Sequence, residues 1–155
     1  MSKDVEFLSQ EKFEELEREL NQLKKAKRKE VAEKLEYARS LGDLSENAEY
    51  QEARDLQAAI EERIQKIESI LQSAKIVSAP RGDFVGLGSH VTIQKEGEKE
   101  KHSYQVVGSE EANMQERKIS HLSPLGEAMM GKKKGETFSF ETPTGKKHYK
   151  VISVE

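Results

Sequence analysis

The sequence predicts an α+β chain in two parts: an N-terminal antiparallel α-helical coiled-coil hairpin, then a small antiparallel sheet packed with one short helix. Three observations predict it. Apolar residues recur at spacings of three and four through the first half of the chain, the signature of a helical seam. Two such stretches of nearly equal length are separated only by a short polar connection around Gly42 and Asp43, and helices joined by a short connection fold back on one another. Near Ala74 the helical period stops, and short runs bounded by Gly and Pro follow, as strands and turns do.

The first helix starts after Ser9, whose hydroxyl can accept from an unpaired amide of the first turn. Glu11, Glu14 and Glu15 follow, placing negative charge where the helix dipole favours it. Phe13, Leu16, Leu20 and Leu23 mark the seam; the pattern weakens through the basic run 24–29 and resumes with Val31, Leu35 and Ala38. No Gly or Pro interrupts residues 9–40, and about thirty residues at ~1.5 Å each make a rod of roughly 45 Å. The second helix is expected over residues 44–74, with Ala53, Leu56, Ile60, Ile64, Ile67 and Leu71 on its seam. An intermolecular coiled coil is the alternative, and the short connection favours the hairpin. The run 24–29 reads as a solvated helix face.

Charged residues make up 35% of the 155 and hydrophobic ones 34%, a balance better suited to a coiled coil than to one compact ball. Residues 1–80 carry 14 Lys/Arg against 18 Asp/Glu, and residues 81–155 carry 12 against 11. Neither half is basic enough to bind duplex nucleic acid on its own. The absence of cysteine excludes disulfides, thiolate zinc sites and cysteine nucleophiles. No apolar run approaches the 18 or so residues of a membrane span, and the first residues lack the basic-then-apolar order of a signal peptide. A cytoplasmic protein is expected.

The connection between the helices reads Gly42-Asp43-Leu44-Ser45-Glu46-Asn47-Ala48-Glu49-Tyr50. One reading is structural: Asp43 as N-cap, Glu46 three positions later closing a capping box, and Gly42 ending the first helix at positive φ. The other is chemical: two carboxylates on one side of a turn form an incomplete magnesium site, for an ion that keeps waters and shares ligands with phosphates. Arg39 and Arg54 flank the turn at similar distances and could hold a phosphate chain beside such a metal.

In the second half, residues 77–83 read as a connector, and strands are expected at 89–94, 103–107, 137–141 and 148–154. Ser123, Pro124 and Gly131 bracket a short helix as N-cap, first residue and terminator. His90, His102, His121 and His148 show no metal spacing. Lys132, Lys133 and Lys134 offset the helix C-terminus or solvate a turn. This half is expected to dock rather than to catalyse.

The nine-residue connection resembles the tip signature of the bacterial Gre transcript cleavage factors. Val107-Gly108, Glu110-Glu111-Ala112, Ile119-Ser120 and the run from Ser123-Pro124-Leu125-Gly126-Glu127 through Gly135-Glu136 resemble the same family's C-terminal signature, nearer the GreA type. The likeness spans nearly the whole chain in order. It implies a coiled-coil hairpin over residues 1–76 with its acidic tip at 42–47, a linker at 77–83, and a C-terminal domain at 84–155 that is FK506-binding-protein-like (FKBP-like). It implies a transcription elongation factor, not itself an enzyme, whose hairpin enters the secondary channel of bacterial RNA polymerase. There the polymerase would hydrolyse the extruded RNA 3′ end of a backtracked complex. Asp43 and Glu46 would help the polymerase hold its second magnesium ion, Mg2+ being shared with that active site and no cofactor being the chain's own. Arg39 and Arg54 would contact the RNA, while Ser45, Asn47 and Tyr50 would at most orient the tip. The factor is expected to act as a monomer, away from membranes, and to hold no metal measurably when free. Two rivals stand beside this: an inhibitor that blocks the same channel, and a coiled-coil chaperone or binding module.

Overall fold

The computed structural model describes residues 5–43 and 46–155. Its contacts divide it into two compact units, Phe13–Ser73 on one side, and the segment up to Lys12 together with Ala74–Glu155 on the other.

In the first unit, α1 (Gln10–Gln22) and α2 (Arg28–Ser40) are one continuous helix broken by a π-turn at Leu23–Lys27, and α3 (Ala48–Ser73) returns along it. The π-turn has a cause legible in the seam. Leu16, Leu20 and Leu23 follow the four-three rhythm, as do Val31, Leu35 and Ala38, but Leu23 and Val31 are eight residues apart where two seam steps give seven. That extra residue would rotate the distal half off the seam by about a quarter turn. A single wide turn, with the Arg28 amide donating to the carbonyl of Leu23, absorbs it and returns the distal residues to the partner helix.

The seam so aligned buries Val31, Leu35, Ala53, Ile60 and Ile64 in one cluster, with Leu20, Leu23 and Tyr50 against it. Leu56 is only partly covered, 38% exposed, and Ile70 rather than Leu71 is buried near the end of α3. Polar bonds flank the stripe. Arg28 grips Glu61 with two bonds of 2.7 and 2.9 Å, Arg63 grips Glu19 with 2.8 and 2.9 Å, and Lys24 pairs with Glu68. The basic run is therefore partly a set of cross-helix clamps. The Arg28 bond holds the Glu61 carboxyl below, and that of Glu61 holds the guanidinium above, their ordinary ranges. A lowered carboxyl pKa stabilises above its unfolded value and loses that contribution as pH falls through the folded one. These exposed pairs set register more than they add stability.

The second unit opens with β1 (Glu6–Leu8), which pairs in parallel with β2 (Ala74–Ile76). A five-stranded sheet follows, in the order β5-β4-β3-β7-β6, built from β3 (His90–Lys95), β4 (Lys101–Val107), β5 (Lys118–Ser120), β6 (Thr137–Thr142) and β7 (Gly145–Val154). The expected antiparallel sheet is in fact mixed. β5, too short to show a period of two, joins β4 in parallel. The short helix α4 (Pro124–Met129) starts as expected, with the Ser123 hydroxyl accepting from the amide of Gly126 at 3.1 Å. Val85, Val91, Ile93, Val106, Ile119, Met129, Phe138 and Val151 form the core. On the edge hairpin, Phe138 and Phe140 each stack on Tyr149 at 5.6 Å.

The C-terminal signature has a structural reading in this unit. A Cβ on Gly108 would stand 2.0 Å from the carbonyl oxygen of Phe7, so only glycine admits β1 at that distance. Three residues on, Glu111 is buried, 5% exposed. Its carboxylate accepts the Ser9 amide at 3.0 Å and the Ser9 hydroxyl at 2.6 Å. Ser9 in turn caps α1, its hydroxyl oxygen accepting the Lys12 amide at 3.1 Å.

Two outcomes follow. Deleting Ala26 restores a seven-residue step and should leave the thermal midpoint of the helical circular dichroism signal unchanged or raised. A fall of several degrees would refute the account of the π-turn. Gly108→Ala should destabilise the sheet unit by about 2 kcal/mol or more through forced backbone displacement, read as a shifted denaturation midpoint for Tyr104 and Tyr149 resonances.

Candidate functional site

The far turn of the hairpin is built from two helix ends. At the first, Leu41 donates its amide to Ala38 and Gly42 to Arg39, at 3.2 and 3.4 Å, and Gly42 takes φ +115°. The expected glycine terminator is in place. At the second, the structure corrects the capping assignment. Helix α3 begins at Ala48, not near residue 44, and its cap is Asn47 rather than Asp43. The Asn47 Oδ1 accepts the Tyr50 amide at 3.1 Å, as an N-cap does for the third helical residue. Asp43 lies five residues before the helix, too early to serve that amide. Its carboxylate and that of Glu46 both belong to exposed residues. Leu44 and Ser45, the latter expected to help orient the tip, lie outside the described residues.

Asn47 does more than cap. Its Nδ2 donates to the carbonyl oxygen of Ala38 at 2.6 Å, within the last turn of α2, where that oxygen lacks the usual amide four residues on and accepts the Leu41 amide instead. Ala38 is only 1% exposed, so the bond is made at the seam. Tyr50, whose amide Asn47 receives, packs against the seam cluster and lies beneath Arg39, the guanidinium carbon 6.0 Å from the ring centroid. The structure thus joins Asn47, Tyr50 and Arg39 into one support under the turn. Arg54 is not part of it: its guanidinium bonds Gln57 at 2.9 Å, one turn further along α3.

Chemically, the turn offers two carboxylates, which are acceptors only when ionised. Among the described residues no group of three or more His, Cys, Asp or Glu is placed to hold a metal ion. The Asp43 and Glu46 pair fits magnesium only as a partial ligand set, since that ion takes six oxygen ligands and readily shares them with phosphates and water. The sheet unit contributes a cavity of about 520 Å³ with a mainly apolar lining that includes Met114, Ile119, Pro124, Leu125 and Phe140. No described helix is long and apolar enough to cross a membrane.

A helical hairpin with two exposed carboxylates at its turn thus shares one chain with a sheet unit that bears an apolar groove, and both parts match known family models. The family model for the N-terminal part of transcription elongation factors matches residues 6–76, and the model for the C-terminal part of GreA/GreB matches residues 79–155. The chain belongs to the GreA/GreB family of transcription elongation factors. It is 47% identical over 144 residues to the transcription elongation factor GreA of Streptococcus gordonii, covering 92% of this chain and 90% of the relative. It is 44% identical over 147 residues to GreA of Streptococcus suis, covering 94% and 92%. Among solved structures, Gfh1 of Thermus aquaticus shares 31% identity over 97% of this chain and 98% of its own, with a TM-score of 0.44.

Gly42→Ala tests the turn's geometry. A Cβ at that positive φ is strained, and the substitution should cost the hairpin about 1–2 kcal/mol in urea unfolding followed by helical signal.

Proposed function

We propose that this chain inserts its hairpin into the secondary channel of RNA polymerase and stimulates the polymerase to cleave the extruded RNA 3′ end of a backtracked complex. The observation that carries the reading is the pair of exposed carboxylates, Asp43 and Glu46, at a turn held between Gly42 and Asn47. Family membership supports the setting, and the turn's position supports the delivery. A helix of about thirty residues spans roughly 45 Å, enough to carry a side chain into a buried centre.

Within the polymerase site, Asp43 and Glu46 add anionic oxygens to a ligand set that the polymerase has already begun. Asp43 and Glu46 would thereby help hold a magnesium ion, which would supply Lewis-acid stabilisation of charge in phosphodiester hydrolysis. The two side chains contribute little alone, because the pair is an incomplete ligand set for an ion that keeps its waters. Arg39, over the Tyr50 ring, keeps a positive charge in the last turn of α2 and steers the phosphodiester backbone of the extruded RNA. Arg54 offers a second charge on α3. The sheet unit docks at the channel mouth, and the apolar groove beside α4 and β6 supplies area for that contact. On this reading the hydrolysis is the polymerase's own, and the factor supplies ligands, charge and placement.

The test uses polymerase stalled in a backtracked complex with end-labelled RNA, magnesium and no nucleotides. The wild-type chain should shorten the RNA, while Asp43→Ala and Glu46→Ala should each slow cleavage by about a hundredfold, the scale of losing a few kcal/mol of charge stabilisation. Polymerase binding should be unchanged. If the wild type leaves the RNA intact and slows nucleotide addition, the hairpin is a blocker and the proposal fails.

A further inference from the structure

We infer that Asn47 is a positioning residue for the tip carboxylates, acting as a brace between the two helix ends and not only as the cap of α3. This rests on the tip role proposed above and adds to it the group that sets the tip's geometry. The chain around the carboxylates has two anchors, the end of α2 at Ser40 and the start of α3 at Ala48. One side chain ties them together. Asn47 Nδ2 reaches the Ala38 oxygen at 2.6 Å, while Oδ1 of the same amide receives the Tyr50 amide at 3.1 Å. The amide is planar, so satisfying both ends fixes its plane, and with it the backbone of Asn47. Glu46 is the residue directly bonded to that backbone. Tyr50, with Arg39 over its ring and the seam cluster against it, keeps its own donating amide in place.

The two bonds have different chemical requirements. Capping needs only an acceptor, which serine supplies about as well as asparagine. Bracing needs a donor on a side chain long enough to reach α2, and among the short N-capping residues only asparagine has it. The structure therefore gives Asn47 a role that capping alone does not. Ala38 is buried and its oxygen already accepts the Leu41 amide at 3.2 Å, so the brace fills the second acceptor site of a carbonyl that water reaches poorly.

Asn47→Ser separates the two roles, keeping the cap, removing the brace and adding no charge beside Asp43 and Glu46. The full-length variant should melt close to wild type, whereas Asn47→Ala, which loses both bonds, should melt lower. In the cleavage assay at saturating factor, Asn47→Ser should raise the magnesium concentration for half-maximal rate by about fivefold, the scale of one lost hydrogen bond. High magnesium should restore most of the maximal rate. A merely structural defect would respond to added factor instead of added magnesium. A second readout needs no polymerase: nitrogen relaxation of the free, full-length protein should show lower order parameters at the Asp43 and Glu46 amides in the serine variant than in wild type. Magnesium curves and order parameters that overlay wild type would overturn the inference and leave Asn47 a cap. If wild type itself fails to stimulate cleavage, the proposed function falls, and the relaxation comparison alone then upholds or refutes the brace.

Discussion

The antiparallel register of α2 against α3 is the constraint on which the hairpin depends. Two helices share one seam, and the stripe here is thin, narrowing to Ala38 and Ala53 near the turn. Small residues permit close approach but bury little apolar area, so they hold register weakly. A slip of one turn would move the carboxylates by about 5.4 Å. Three features oppose that slip. The π-turn keeps the distal seam in phase, the Arg28–Glu61 and Arg63–Glu19 forks mark the alignment along the stem, and Asn47 fixes it at the turn.

In the sheet unit, a comparable economy governs the N-terminal strand. β1 has only three residues and one neighbour, too little to stay in place by strand pairing alone. Gly108 lets the Phe7 backbone approach, His121 meets the Phe7 ring edge-on at 5.7 Å, and Glu111 receives both Ser9 donors. A buried carboxylate is costly unless it is hydrogen-bonded, and here the bonds it accepts define where α1 begins.

Much of this was legible in the residues, for reasons that differ by element. The heptad rhythm gave the hairpin because the seam has only one face to write. Short runs bounded by turn residues gave β3, β4, β6 and β7, and Ser123-Pro124 gave the start of α4. Strands of three residues, β1, β2 and β5, carry no usable period, and their partners are set by tertiary contact. The π-turn was countable as an eight-residue step, but a weakened pattern in a lysine-rich run looks like ordinary solvation. The capping residue misled because Asp43 with Glu46 fits a capping box, whereas Asn47 is followed at the third position by Tyr50. The cap fell to Asn47 because its amide also reaches Ala38, a contact invisible in sequence. Glu111 sits in an acidic pair with no sign of burial. Arg39 and Arg54, symmetric about the turn in sequence, have different neighbours in space.

The central claim is that the turn of this hairpin enters a metal site belonging to another protein. The most direct measurement replaces the active-site magnesium of a backtracked polymerase with ferrous iron, adds the full chain, and maps where hydroxyl radicals generated at the iron cut it. The account predicts cuts confined to the neighbourhood of Asp43 and Glu46, abolished by excess magnesium. Cuts confined to the sheet unit, or none in a complex shown to contain the factor, would contradict it.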